Sequence, residues 1–174
     1  MRTTRISQSA AGATAWVPVD PTIAPFSLDI NCVGSSNFVG TYSVQYTTDD
    51  FMRFIPVVVT RATTVATLKL TNHGLTTSDT IIVQNTGDSN LDGTFAVASV
   101  VDQNTITYTV ANTGKTLSEN TAQAAVVHVT VHGTITGKTA TFEGSQATPI
   151  TAIRLNVSAF TSGYITMILN QGRK

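Results

Sequence analysis

Tyr42-Ser43-Val44-Gln45-Tyr46-Thr47-Thr48-Asp49-Asp50 decides the reading of this chain. Tyr42, Val44 and Tyr46 alternate with Ser43, Gln45 and Thr47. Successive side chains of a strand point to opposite faces, so this pattern describes a strand with one dry face and one wet face. A second stretch far along the chain repeats the pattern. In Ala152-Ile153-Arg154-Leu155-Asn156-Val157, Ile153, Leu155 and Val157 share one face while Arg154, Asn156 and Ser158 take the other. Thr161-Ser162-Gly163 then turns the chain into Tyr164-Ile165-Thr166-Met167-Ile168-Leu169. Two half-buried hairpin-like segments so far apart read as the halves of one β-sandwich, with another β-domain inserted between them.

Composition agrees. The 174 residues suffice for one large domain or two small ones. Thr alone supplies 32 of them, and β-branched residues fit a pleated, half-buried surface. Charged residues make up 11%, well below the roughly 25% of an average domain. The formal net charge is zero, so there is no basic face for nucleic acid. A charge-poor surface is weakly protected against self-association, which suits a surface covered by neighbours in an assembly. A surface hydrated by Thr, Ser and Asn reads equally from the same composition. No apolar run is long enough to span a bilayer, and the N-terminus lacks the apolar core of a signal peptide. The single cysteine, Cys32, excludes an internal disulfide. It falls in the alternation Phe26, Leu28, Ile30, Cys32, which makes it a buried thiol and not a nucleophile.

Residues 1–14 are small, polar and aperiodic, and read as a flexible arm that orders on contact or as a frayed terminus. The arm reading singles out Arg2, Arg5 and Trp16 as assembly contacts. Residues 15–56 and 134–174 form the expected outer sandwich, and residues 57–133 the expected insert. Within the insert, Thr94–Val101 and Thr105–Ala111 flank a short hairpin connection at Asp102-Gln103-Asn104. Leu117–Ala125 is the one place where a short helix would fit.

The candidates for chemistry each have a plainer reading. Asp88-Ser89-Asn90-Leu91-Asp92-Gly93 opens like a calcium loop, but its twelfth position is Ser99 where a bidentate Glu belongs, and a tight turn needs the same residues. Asp49-Asp50 could be paired carboxylates, yet a strand-to-loop junction explains them. His73, His128 and His132 are too scattered for a zinc site, and His128 with His132 reads as a surface pair on one strand. No nucleophile elbow or phosphate loop is present. Catalytic, cofactor and metal residues are therefore expected to be none, and an enzyme is the least favoured class.

The segments YSVQYTTDD and ATPITAIRLNVSAFTSGYITMILNQG resemble small β-sandwich proteins from the structural gene blocks of tailed bacteriophages. The intervening NHGLTTSDTIIVQNTG and LDGTFAVASVVDQNTITYTV resemble an Ig-like β module of phage virion proteins. The resemblance implies an all-β chain: a jelly-roll or Ig-like β-sandwich from both chain ends, carrying a second small β-domain that projects outward. It implies a virion part on the capsid surface, assembled in the bacterial cytoplasm. Capsid decoration, binding the major capsid protein and cementing its contacts, is the role expected. A homo-oligomer, a trimer by analogy with decoration proteins on three-fold positions, accompanies it. A neck, tail or fibre-base component, or a module binding host surface glycans through exposed aromatics, are the alternatives. Fold resemblance alone does not assign a role.

Overall fold

The computed structural model describes residues 2–111 and 117–172, residues 117–121 by backbone alone. They form sixteen strands: β1 Arg2–Gln8, β2 Gly12–Ala13, β3 Val17–Pro18, β4 Leu28–Gly34, β5 Val39–Thr47, β6 Ile55–Ala62, β7 Val65–Lys69, β8 Thr80–Gln84, β9 Gly93–Ala96, β10 Ser99–Asp102, β11 Thr105–Thr109, β12 Leu117–Val127, β13 Thr130–Val131, β14 Phe142–Gln146, β15 Ala152–Ser162 and β16 Ile165–Gln171. The chain is all-β, as its Thr, Val and Ile content dictates. It divides into two compact units, residues 1–48 with 130–174, and residues 49–129.

The first unit is a sandwich of two antiparallel sheets. One runs β1-β16-β4-β14 and the other β13-β5-β15-β2, with β3 also on β15. The alternation read from the sequence supplies the core between them. Leu28, Ile30 and Cys32 come from β4, Tyr42 and Val44 from β5, Ile153, Leu155 and Val157 from β15, and Ile165, Met167 and Leu169 from β16, all at most 2% exposed. Each such aliphatic side chain taken from water contributes roughly 1.5–3 kcal/mol before chain entropy is subtracted. Burial pushes the Cys32 thiol up to about 12, partly offset by a hydrogen bond with Tyr42, so it is inert at neutral pH.

Residues 2–8 are not a flexible arm. They form edge strand β1 on β16, in a register that runs from Arg2 opposite Gln171 to Gln8 opposite Ile165. Ile6 packs against the core, while the Thr3 hydroxyl donates to Asn170 at 2.8 Å and Ser7 pairs with Thr166 at 2.7 Å. One apolar residue among six polar ones suffices when a ready sheet edge supplies the backbone partners.

The second unit is one curled seven-stranded antiparallel sheet, β10-β11-β7-β6-β12-β8-β9. Its ends approach each other: the Phe95 ring of β9 lies 4.6 Å from Tyr108 of β11, and the Ala98 N–H donates to the Thr107 carbonyl at 2.8 Å. The expected strand over residues 94–101 is two, because the chain crosses at Val97 and Ala98 from one end of the sheet to the other. Residues 117–125 belong to β12, not a helix. β12 is a central strand between β6 and β8, with Ala122 and Ala124 buried inside the curl. Arg61 also points inward, where its guanidinium meets Asp88 at 2.8 Å.

Candidate interaction surface

One end of the sandwich unit is a tip built on two interlocked turns that carry no charged residue. β4 leads through Ser35–Phe38 into β5, and β15 turns at Gly163 into β16. The two turns interlock although 128 residues separate Ser35 from Gly163 in the numbering. The Ser35 N–H donates to the Tyr164 carbonyl at 2.9 Å, and the Tyr164 N–H returns a bond to Ser35 Oγ at 3.0 Å. The Ser35 hydroxyl donates to Asn37 Oδ1 at 2.8 Å, and the Ser162 hydroxyl donates to the Asn37 carbonyl at 2.8 Å.

Two glycines make the fit possible. Gly163 sits at φ +80°, and a Cβ there would lie 2.6 Å from Phe38 Cα. A Cβ on Gly40 would lie 2.7 Å from the Ala159 carbonyl and 2.9 Å from the Phe38 ring. Phe38 is thus held between two backbones, with its ring edge-on to Tyr42 at 6.1 Å. Around it, Val39 and Tyr164 are 55% and 52% exposed, and Val33 36%. A hollow of about 390 Å³ opens between Phe38, Val39, Gly40, Thr41, Thr139, Ala159 and Thr161. No charged residue occurs from Ile30 to Thr48 or from Leu155 to Gly172. The tip therefore offers apolar surface and hydroxyls in fixed positions, which suits burial against a partner with little ordering entropy to lose.

The residues picked out for an arm lie elsewhere and apart. Arg5 is on the outer face of β1, and Arg2 begins that strand. Trp16 lies between β2 and β3 with its ring 4.3 Å from the Arg154 guanidinium, whose Nε donates to Gln45 Oε1 at 2.7 Å. Burial pushes Arg154 down to about 10, so it stays charged at neutral pH beneath the indole.

The calcium-like loop is a turn whose carboxylates are taken up by protein donors. Asp88 Oδ1 accepts the Asn90 N–H and side-chain amide at 3.0 and 2.9 Å, and Oδ2 faces Arg61. These bonds, Asn90's first, hold the Asp88 carboxyl below its usual range. Asp92 Oδ1 accepts the Thr86 N–H and hydroxyl at 3.0 and 2.7 Å. Among the described residues no three His, Cys, Asp or Glu converge as metal ligands. Asp49 Oδ2 accepts both the N–H and the ring Nδ1 of His128, tying the two chain crossings at the base of the curled unit.

The histidines correct the sequence reading. His128 and His132 do not share a strand, since β12 ends at Val127 and β13 begins at Thr130. His132 is 5% exposed and His73 7% exposed, so both are interior groups. The tip itself escaped the sequence reading because its halves meet only in three dimensions. The two long charge-free runs were its one visible trace.

No family model matches the chain, and no curated protein matches it. Among solved structures, Phage phi92 endosialidase matches at 22% identity and a TM-score of 0.38 over 49% of this chain and 15% of that one. So a phage protein stands as a distant structural neighbour, and a likeness this slight carries no argument about role. It does overturn one expectation. The chain was expected not to be an enzyme, whereas the matched protein is an endosialidase, so that exclusion is withdrawn. A match this partial establishes no activity for this chain either.

Proposed function

We propose that the chain is a structural component of a tailed-phage virion that decorates the head, docking its tip on the major capsid protein. The observation that carries this reading is the tip itself. Exposed Val39 and Tyr164 stand on a scaffold fixed by Gly40, Gly163 and four hydrogen bonds, with no charged residue in either of the two runs that carry them. Exposed apolar groups on a rigid frame mark interaction sites, and many modest contacts act together across a shell.

The test is the copy number per purified virion, by quantitative mass spectrometry against the major capsid protein. One copy per capsid subunit, or a simple fraction of it, is expected. A handful of copies matching tail symmetry would move the protein to the neck or tail, and absence from the virion would end the proposal. The double variant Val39→Asp with Tyr164→Asp should leave the free protein folded yet vacate the capsid. Unchanged occupancy would remove the tip as the contact, and glycan-array binding lost in the same variant would reassign it to adhesion.

A further inference from the structure

We infer that copies of this chain join head to tail through the two edges of the β1-β16-β4-β14 sheet, β14 of one copy pairing antiparallel with β1 of the next. The inference stands whether or not the chain belongs to a virion.

The sheet has four strands, all antiparallel, so its edge strands β1 and β14 run in opposite directions. A neighbour placed edge to edge in the same orientation continues the antiparallel alternation without reversal. The register then decides what meets what. Arg5 lies opposite Ile168, Ile168 opposite Asn31, and Asn31 opposite Glu143. Arg5 and Glu143 therefore end the same cross-strand row at opposite edges of the outer face. Continuing that row into the next copy sets Arg5 against Glu143, a pair of opposite charges directly across a rung. The flanking outer rungs match Ser145 with Thr3, and Thr141 with Ser7, hydroxyl to hydroxyl. On the inner face the row Ile6, Met167, Cys32, Phe142 sets Ile6 of one copy against Phe142 of the next. Both are half-buried and packed on the rim of the core, so the junction would complete the burial that each copy leaves unfinished.

Both charged ends are available. Arg5 and Glu143 are exposed, and neither has an oppositely charged partner among the described residues. Glu143 Oε1 accepts the Asn31 side-chain amide of β4 at 3.0 Å, which turns that oxygen back over its own sheet, so the junction would use Oε2. The neighbouring charges are Arg2 on β1, Asp29 in the next row, and Lys138, whose Nζ lies 3.9 Å from the Phe142 ring centre. The Ser145 carbonyl already accepts from His132 Nε2 at 3.3 Å, so the rungs around Glu143 carry the backbone pairing. A heterologous contact of this kind closes into a ring or runs on as a filament, and both raise the mass above 18.4 kDa.

The experiment is sedimentation velocity of the full chain over a range of concentrations. Wild type is expected to assemble. R5E leaves two acids to face each other, and E143R two cations, so each variant alone should assemble at least about tenfold more weakly. An equimolar mixture of the two recreates an opposite-charge pair at every junction and should restore the wild-type masses. Unchanged circular dichroism of each variant confirms that its fold is intact. In a second measurement, Ser7→Cys with Thr141→Cys, at a rung clear of the bond between His132 and the Ser145 carbonyl, is oxidised. Within one copy these positions are three strand spacings apart, about 14 Å, too far for a disulfide, so a ladder of linked chains reports the junction. A wild type that sediments as one chain throughout, variants that assemble like wild type, a mixture that does not recover, or no ladder would each overturn the inference.

Discussion

Each unit contains one His-Gly turn, His73-Gly74-Leu75 in the curled sheet and His132-Gly133-Thr134 in the sandwich, and the two imidazoles make the same bonds. His73 Nδ1 accepts the Leu75 N–H at 2.9 Å, and Nε2 meets the Asp102 carbonyl at 2.9 Å. His132 Nδ1 accepts the Thr134 and Ile135 N–H groups, both at 3.3 Å, and Nε2 meets the Ser145 carbonyl at 3.3 Å. A backbone N–H only donates and a carbonyl only accepts, so both rings must be the neutral tautomer with the proton on Nε2. In both turns a buried aliphatic follows, Leu75 or Ile135. The glycines differ. Gly74 adopts φ +64°, whereas Gly133 has no left-handed backbone and nothing within 4 Å of where a Cβ would be. Like sequence and like side-chain bonding thus conceal two backbone solutions: in one turn the glycine is required by conformation, in the other it is incidental.

The largest effects belong to the rings. Replacing His73 by Ala removes two bonds at 2.9 Å and leaves the buried Leu75 N–H unpartnered, which should destabilise the curled unit by about 3 kcal/mol. His132→Ala loses longer, shared bonds and an edge contact with Tyr46, and should destabilise the sandwich by about 2 kcal/mol. Denaturant unfolding separates the two because the single tryptophan, Trp16, lies in the sandwich unit. Its fluorescence follows that unit alone, while circular dichroism follows both. H132A should move the fluorescence transition and H73A should move only the dichroism. If H132A proves the costlier, bond length is not what ranks the two turns. If both probes move together in each variant, the units unfold as one.

Much of the sandwich core was legible because alternation reports burial directly: Tyr42 and Val44, or Ile153, Leu155 and Val157, face the core as their spacing requires. β1 was not legible, since RTTRISQ offers a single apolar residue and its strand state depends on the β16 edge it meets. Residues 117–125 carry Ala, Glu and Gln, which favour helix locally, and the place between β6 and β8 overrides that preference. His132, expected as half of a surface pair, was misread for a related reason. Polarity argues for the surface, and only the backbone groups converging on His132 explain why it lies inside. The tip was hidden because Ser35 and Tyr164 become neighbours only through the β4–β16 pairing.

Gly74→Ala ranks next. A Cβ at Gly74 would be 3.6 Å from His128 Nε2, an ordinary contact, so space is not the obstacle. The left-handed backbone is, and it should destabilise the curled unit by about 1–2 kcal/mol, visible as a shift in the dichroism transition with the fluorescence transition unmoved. A neutral Gly74→Ala would mean that the turn relaxes to an ordinary conformation while keeping the imidazole bonds.

Gly133→Ala should have the smallest effect, and its sign sharpens the comparison. The folded backbone there lies outside the left-handed region, and the surroundings are open, so neither positive φ nor crowding opposes the methyl. In the unfolded chain, alanine has fewer conformations to lose than glycine. The substitution should therefore leave the sandwich unchanged or stabilise it by up to about 0.5 kcal/mol, read as an equal or higher midpoint of the Trp16 fluorescence transition. A clear loss of stability would show that the His132 turn needs its glycine too, for a reason other than φ, and the two turns would then be one motif and not two.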